Sequence, residues 1–223
     1  MIHLSTVGVS VRIDVYADVL CPWCYIGKRR LAAALDGLAG PEPVDVRWRA
    51  YELGPDLPRV PGRSAAAQMA DPSWWGAEAP SRIDRIRALG AAEGLTLDLH
   101  RARPVNTFDA HRLIRFGHER GLGDATAERL LLAYHSEGAN VADHGVLERL
   151  GTEAGLDDAE VRAVLAGDAH AADVRADERR AARSGVTGVP SLVIDGGRPV
   201  PGVQPAHVLR RLLSDAPPAA SRP

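Results

Sequence analysis

Cysteine occurs twice in this chain, at Cys21 and Cys24, and that three-residue spacing is the first feature able to do chemistry. The intervening Pro22 suits the first position of a helix, where its missing N–H costs nothing. Cys21 is then the N-cap, with its sulfur at the positive end of the helix. Free N–H groups and the macrodipole there favour an anion, so the Cys21 thiol is expected to ionise more readily than a free one. Cys24 follows one turn along, close enough to attack a mixed disulfide formed on Cys21, so the pair reads as a nucleophile and its resolving thiol. Pro22 and Trp23, which would tune the pair, carry no charge. A redox potential between about −120 and −270 mV, the values of strongly oxidising and reducing pairs, is therefore expected.

Three other uses of two cysteines are open to this spacing. A zinc site needs about four ligands, yet there is no second cysteine pair and none of the eight histidines is paired with the first; no metal is expected. Haem attachment would need histidine where Tyr25 stands. Two buried apolar cysteines with no chemistry are the plain structural alternative.

The elements that must hold the pair are legible as periodicity. Val11, Ile13 and Val15 alternate with polar neighbours and predict a strand, and Leu31, Leu35 and Leu38 predict a helix stopped at Gly40-Pro41. Val44, Val46 and Trp48 predict a second strand, completing a β-α-β unit. From Gly54 to Gly185 the patterns are helical: about Ile83–Leu89, then Phe108–Glu119, Ala125–Ser136, Val146–Ala154, Ala159–Ala166 and Ala169–Arg183. Asp124 is expected to cap the third of these, and Asp157 with Glu160 to form a capping box. A strand at Pro190–Asp195, a Gly196-Gly197 turn, a short strand at Arg198–Gly202 and a helix after Gln204-Pro205 close the chain. The simplest closure is a mixed four-stranded sheet flanked by helices, an α/β architecture with a large all-helical insertion.

The second landmark is Gly185-Val186-Thr187-Gly188-Val189-Pro190. A proline at the start of a strand cannot donate to the ladder. A cis bond to it would expose the backbone of Val189 to a visiting chain; an ordinary trans proline is the commoner form, since only about 5–6 % of such bonds are cis.

With 223 residues and 23.8 kDa, the chain buries enough surface to fold without staples. A net charge of −2 gives no footprint for nucleic acid and no cue for anionic membranes. No apolar run is long enough to span a bilayer and Met1–Ser10 does not read as a signal peptide, so a cytoplasmic location is expected.

The two landmarks together resemble the thioredoxin fold of the DsbA-like class, and within it the FrnE-type thiol oxidoreductases. The similarity rests on Cys-Pro-Trp-Cys-Tyr-Ile-Gly (21–27), Tyr-Glu-Leu-Gly-Pro-Asp-Leu-Pro (51–58), Asn-Thr-Phe-Asp-Ala-His-Arg-Leu (106–113), Ala-Tyr-His-Ser-Glu-Gly (133–138) and Gly-Val-Thr-Gly-Val-Pro-Ser-Leu-Val-Ile-Asp-Gly (185–196). It implies a thioredoxin-fold domain over residues 1–53 and 185–215 and a helical insertion domain over 54–184 lying above the active site, while the Pro/Ala/Ser-rich composition of 216–223 predicts a disordered tail. It also implies a cis Pro190 packed against Cys21, catalysis by Cys21 and Cys24 on protein or small-molecule disulfides, and substrate binding by Val189 and Pro190. No cofactor is implied, with glutathione left open as a co-substrate and homodimerisation left open. Two other functions come from the same resemblance: a glutathione-dependent isomerase or transferase of aromatic metabolites, as in the 2-hydroxychromene-2-carboxylate isomerase and kappa-type branch, and a non-catalytic binding module. His135 and the Arg198-Pro199 edge depart from the usual pattern, and neither is expected to touch the cysteines.

Asn106 is most simply a helix cap; the resemblance gives its helix start a second reading, as a wall of the substrate site. Trp74-Trp75 is expected to pack over the insertion rather than to serve as a binding platform.

Overall fold

The computed structural model of the protein describes residues 11–38 and 44–215. Strand β1 (Arg12–Ala17) runs parallel to β2 (Asp45–Ala50), with Ile13 opposite Val46 and Val15 opposite Trp48. Its other edge pairs antiparallel with β3 (Ser191–Ile194), Tyr16 facing Ser191, and β3 pairs antiparallel with β4 (Val200–Pro201). The order β2-β1-β3-β4 makes a mixed sheet with β1 and β3 at its centre. The alternation in β1 separates two faces, and both are buried. Ile13 and Val15 enter the main core, whereas Asp14 and Tyr16 lie beneath α8 (Ala171–Arg183). Asp14 is tolerated there because Arg49 of β2 binds it at 2.7 Å while reaching Asp177 of α8 at 3.1 Å.

Helix α1 (Pro22–Asp36) follows β1 and closes at Gly37, so the expected stop at Gly40-Pro41 falls outside the described residues, as does the tail from 216. Between β2 and β3 come α2 (Ala65–Met69), a 3₁₀ turn (Gly76–Glu78), α3 (Ala79–Ala92), α4 (Phe108–Glu119), α5 (Gly123–Leu132), α6 (His144–Glu153) and α7 (Asp158–Ala166), then α8. The last helix, α9 (Ala206–Ser214), packs on α1. The interior is continuous from the sheet into the helical segment: Ile13, Tyr25, Leu113, Leu130 and Leu147 belong to one cluster.

One short helix is added and two local expectations are corrected. The short helix α2 shows no periodicity of its own; Ser64 caps it, and the N–H groups of Ala65 and Ala66 bond to the carbonyls of Ala102 and Leu99. The helix expected over 125–136 starts at Gly123 and widens into a π turn at Ala133–Glu137, closed by Gly138 at φ +70°. Asp124 is not its cap: the carboxylate accepts from Lys28 Nζ at 2.8 Å and Trp48 Nε1 at 3.1 Å instead. At α7 the Asp157 carboxylate does accept the Glu160 N–H, while Glu160 itself turns to Arg120.

Candidate active site

Cys21 ends the tight turn after β1. Its N–H bonds to the Asp18 carbonyl at 3.2 Å, and its own carbonyl accepts the N–H of Cys24 at 3.0 Å. It is the N-cap of α1 with extended backbone and Pro22 behind it, and its sulfur caps no N–H of the helix. The antiparallel pairing of β1 with β3 brings the end of one strand beside the start of the other. There the Val189–Pro190 bond is cis, and the Cys21 thiol donates to the Val189 carbonyl at 3.7 Å. Among the described residues the N–H of Val189 donates to nothing. Helix α1 comes so close to this loop that a Cβ on Gly27 would lie 2.9 Å from the Gly202 carbonyl oxygen and 3.1 Å from Pro190 Cγ.

Cys21 and Cys24 are both free thiols and both largely buried, at 5 % and 1 % exposure. Their surroundings differ. Cys21 borders an open chamber, while Cys24 lies wholly inside the core. Burial, with the Cys21 thiol beside it, pushes the Cys24 thiol well above its ordinary value.

The catalytic helix is fastened to α5 by charge. Lys28, 7 % exposed, reaches Asp124 at 2.8 Å and Glu128 at 3.0 Å, and the Tyr25 hydroxyl donates to Glu128 at 2.7 Å. Burial and the Glu128 carboxylate raise the Tyr25 hydroxyl to about 12.

His135 is the residue whose expected place changes most. It sits in the π turn, stacked on Tyr25 at 6.1 Å and edge-on to Tyr134 at 4.8 Å. The backbone carbonyls of Val19 and Cys21 lie beside its ring, and Nε2 has no partner among the described residues. Full burial pulls the imidazole down to about 4, against the smaller upward pull of those carbonyls and Asp18. It therefore lies beside the Cys21 backbone as a neutral ring.

The chamber over Cys21 has a volume of about 460 Å³. Leu20, Trp23 and Val189 line it with Cys21, and Leu53 and Leu57 come from the loop after β2. Met69, Trp74 and Trp75 line it as well. The tryptophan pair therefore faces the site and is no mere cover for the insertion, with Trp74 55 % exposed at the rim. Asn106 is not in the wall. Its Nδ2 donates to the Pro55 carbonyl at 2.8 Å and its Oδ1 accepts the Phe108 N–H at 3.0 Å, so it holds the loop that carries Leu53 and Leu57. Among the described residues one three-residue cluster has metal-ligand types, Glu119, His170 and Asp173; it contains neither cysteine, and Arg115 lies 3.5 Å from Glu119.

The family model described as a DSBA-like thioredoxin domain matches residues 12–214. A solved structure from Streptomyces coelicolor, described as a probable DsbA oxidoreductase, is 36 % identical with a TM-score of 0.85, covering 92 % of this chain and 88 % of the other. An uncharacterized Bacillus subtilis protein, YwbO, is 27 % identical over 93 % of this chain and 98 % of its own. At 22 % identity the cytosolic disulfide reductase DsbM of Pseudomonas aeruginosa, solved with GSH, shares the fold at a TM-score of 0.63, with 91 % and 97 % of the two chains covered.

Proposed function

Because the chain belongs to the DsbA-like thioredoxin-domain family, we propose that it is a thiol–disulfide oxidoreductase working through Cys21 and Cys24. The observation that carries this is the placement of the Cys21 thiol at the N-terminus of α1, against the Val189 carbonyl and open to the chamber, with Cys24 one turn below it. The Cys21 thiolate attacks a substrate disulfide and one substrate thiol leaves. The Cys24 thiolate then attacks Cys21 Sγ, releasing the second thiol and leaving a Cys21–Cys24 disulfide. A bound chain has the free N–H of Val189 to bond with, and Pro190 holds that backbone at the sulfur. The reaction calls for no metal and no organic cofactor. A cytoplasmic location, where thiols are kept reduced, suits a dithiol of this kind. No helix among the described residues is long and apolar enough to cross a membrane.

The test is an equilibration in a glutathione redox series, with the Cys21–Cys24 state read by alkylation, together with insulin reduction by the same sample. A pair that titrates as one two-electron couple and turns over a disulfide bears the proposal out. A pair that never oxidises sinks it.

A further inference from the structure

The chamber over Cys21 is charge-free. Among the described residues none that lines it carries a formal charge. Gln68 donates through Nε2 to the Arg63 carbonyl at 3.1 Å, and Tyr134 is buried. What remains is Trp23, Trp74 and Trp75, with Met69, Leu53 and Leu57 between them. A volume of about 460 Å³ belongs to the class of pockets, about 300–1,000 Å³, that enclose most of a small organic ligand.

From this geometry we infer that the substrate is a small, uncharged disulfide bearing an aromatic or comparably bulky apolar group. The inference rests on the oxidoreductase reading and narrows it. Two observations select this occupant over the others. Glutathione brings two carboxylates and an ammonium, which would lose water in this chamber and meet no countercharge among its lining residues; Arg82, over the Trp75 ring at 5.3 Å, is paired with Glu78. A disulfide on a folded protein would have to reach Cys21, a residue only 5 % exposed that lines the chamber together with Trp74, whereas a small molecule can enter whole. Aromatic walls and the thioether of Met69 favour a flat ring by area and by ring-edge contact.

The step balances without any other reagent. For a substrate RS–SR′, Cys21 S⁻ forms an S–S bond to the R-bearing sulfur and R′S⁻ leaves. Cys24 S⁻ then displaces RS⁻, so the substrate gains two electrons and the Cys21–Cys24 dithiol loses them.

A single-turnover experiment with the reduced full chain removes the recycling partner from the question. The Cys21–Cys24 pair is followed as it oxidises under 2-hydroxyethyl 2-phenylethyl disulfide, glutathione disulfide or insulin. The phenylethyl compound should react faster than both others by about tenfold or more. Trp74→Ala, a substitution at the exposed rim, should narrow that preference, and Gln68→Arg should raise the rate with glutathione disulfide. In parallel, 2-phenylethanol, which has no sulfur, should quench tryptophan fluorescence, and less so in Trp74→Ala. Equal or faster reaction of glutathione disulfide or insulin, or no binding of 2-phenylethanol, overturns the inference. Binding of 2-phenylethanol with no oxidation by any disulfide leaves the aromatic chamber supported and overturns the oxidoreductase reading instead.

Discussion

The Cys21 thiol rests 3.7 Å from the carbonyl oxygen of Val189, a residue 168 positions later in the chain. Apart from this acceptor, the sulfur lies at the N-terminal end of α1, and among the described residues no cationic side chain bonds to it. Lys28, the nearest cationic side chain along α1, is already spent on Asp124 and Glu128.

That inventory places the redox potential. Strongly oxidising pairs near −120 mV owe it to a highly stabilised thiolate, and reducing ones lie near −270 mV. With a helix terminus as the one fixed source of positive potential, Cys21–Cys24 should fall between about −120 and −270 mV. A value at the oxidising limit, read by alkylation in glutathione buffers, would show that another group stabilises the thiolate.

Burial separates the roles of the two sulfurs. Limiting alkylation of the reduced protein should label Cys21 first, because it borders the chamber and Cys24 does not. Cys24→Ser should accumulate mixed disulfides on Cys21, and Cys21→Ser should accumulate none. Peptide mass mapping decides both.

The raised Cys24 thiol sets the pH dependence of resolution. At neutral pH it is mostly protonated, and below its pKa the thiolate fraction rises about tenfold per pH unit. Decay of a preformed Cys21 mixed disulfide should therefore accelerate steadily from pH 7 to 9. A flat profile would mean that a neighbouring base takes the proton before attack.

His135 makes the fold acid-sensitive. In the unfolded chain its imidazole takes a proton below about pH 6.5, but in the folded chain only near 4. Protons thus favour the unfolded state in that window, and stability falls as pH drops from about 6.5 to 4, by roughly 3 kcal/mol in all. His135→Phe should flatten this slope in urea titrations. An unchanged slope would assign the acid sensitivity elsewhere.

Close packing joins α1 to the Pro190 loop, so Gly27→Ala must push Gly202 or Pro190 aside. We expect a loss of about 1–3 kcal/mol and a slower attack by Cys21, since the displaced loop carries Val189. Thermal unfolding and single-turnover rates measure the two effects separately.

The parts of this molecule legible beforehand are those whose periodicity is long. The β1 alternation, the α1 repeat and the helix over Phe108–Glu119 all carry enough residues for one face to be distinguished. The cysteine spacing is local and needs no tertiary knowledge. What stayed hidden depends on partners remote in sequence. The five residues of α2 are held by Leu99 and Ala102, and the polar face of β1 is buried because Arg49 and α8 meet it. Trp74-Trp75 was visible as a pair, but its N–H groups are held by the carbonyls of Asp71 and Met69, which no hydrophobic pattern reports. Asn106, read first as a helix cap and second as a wall residue, anchors the loop that supplies Leu53 and Leu57 to the chamber.

Pairing β1 with β3 also fixes the order in which the molecule can be completed during synthesis. At about 5–20 residues per second, some tens of seconds or less separate the appearance of Tyr16 from that of Ser191, its partner in the sheet. Throughout that interval one edge of β1 has no neighbour, while the intervening helices, built largely on local contacts, are free to form. The nascent Cys21 therefore meets the cell before the carbonyl it will rest against has been made. The C-terminal strands serve as the final stitch, and a chain released before them would carry both thiols on an unfinished sheet.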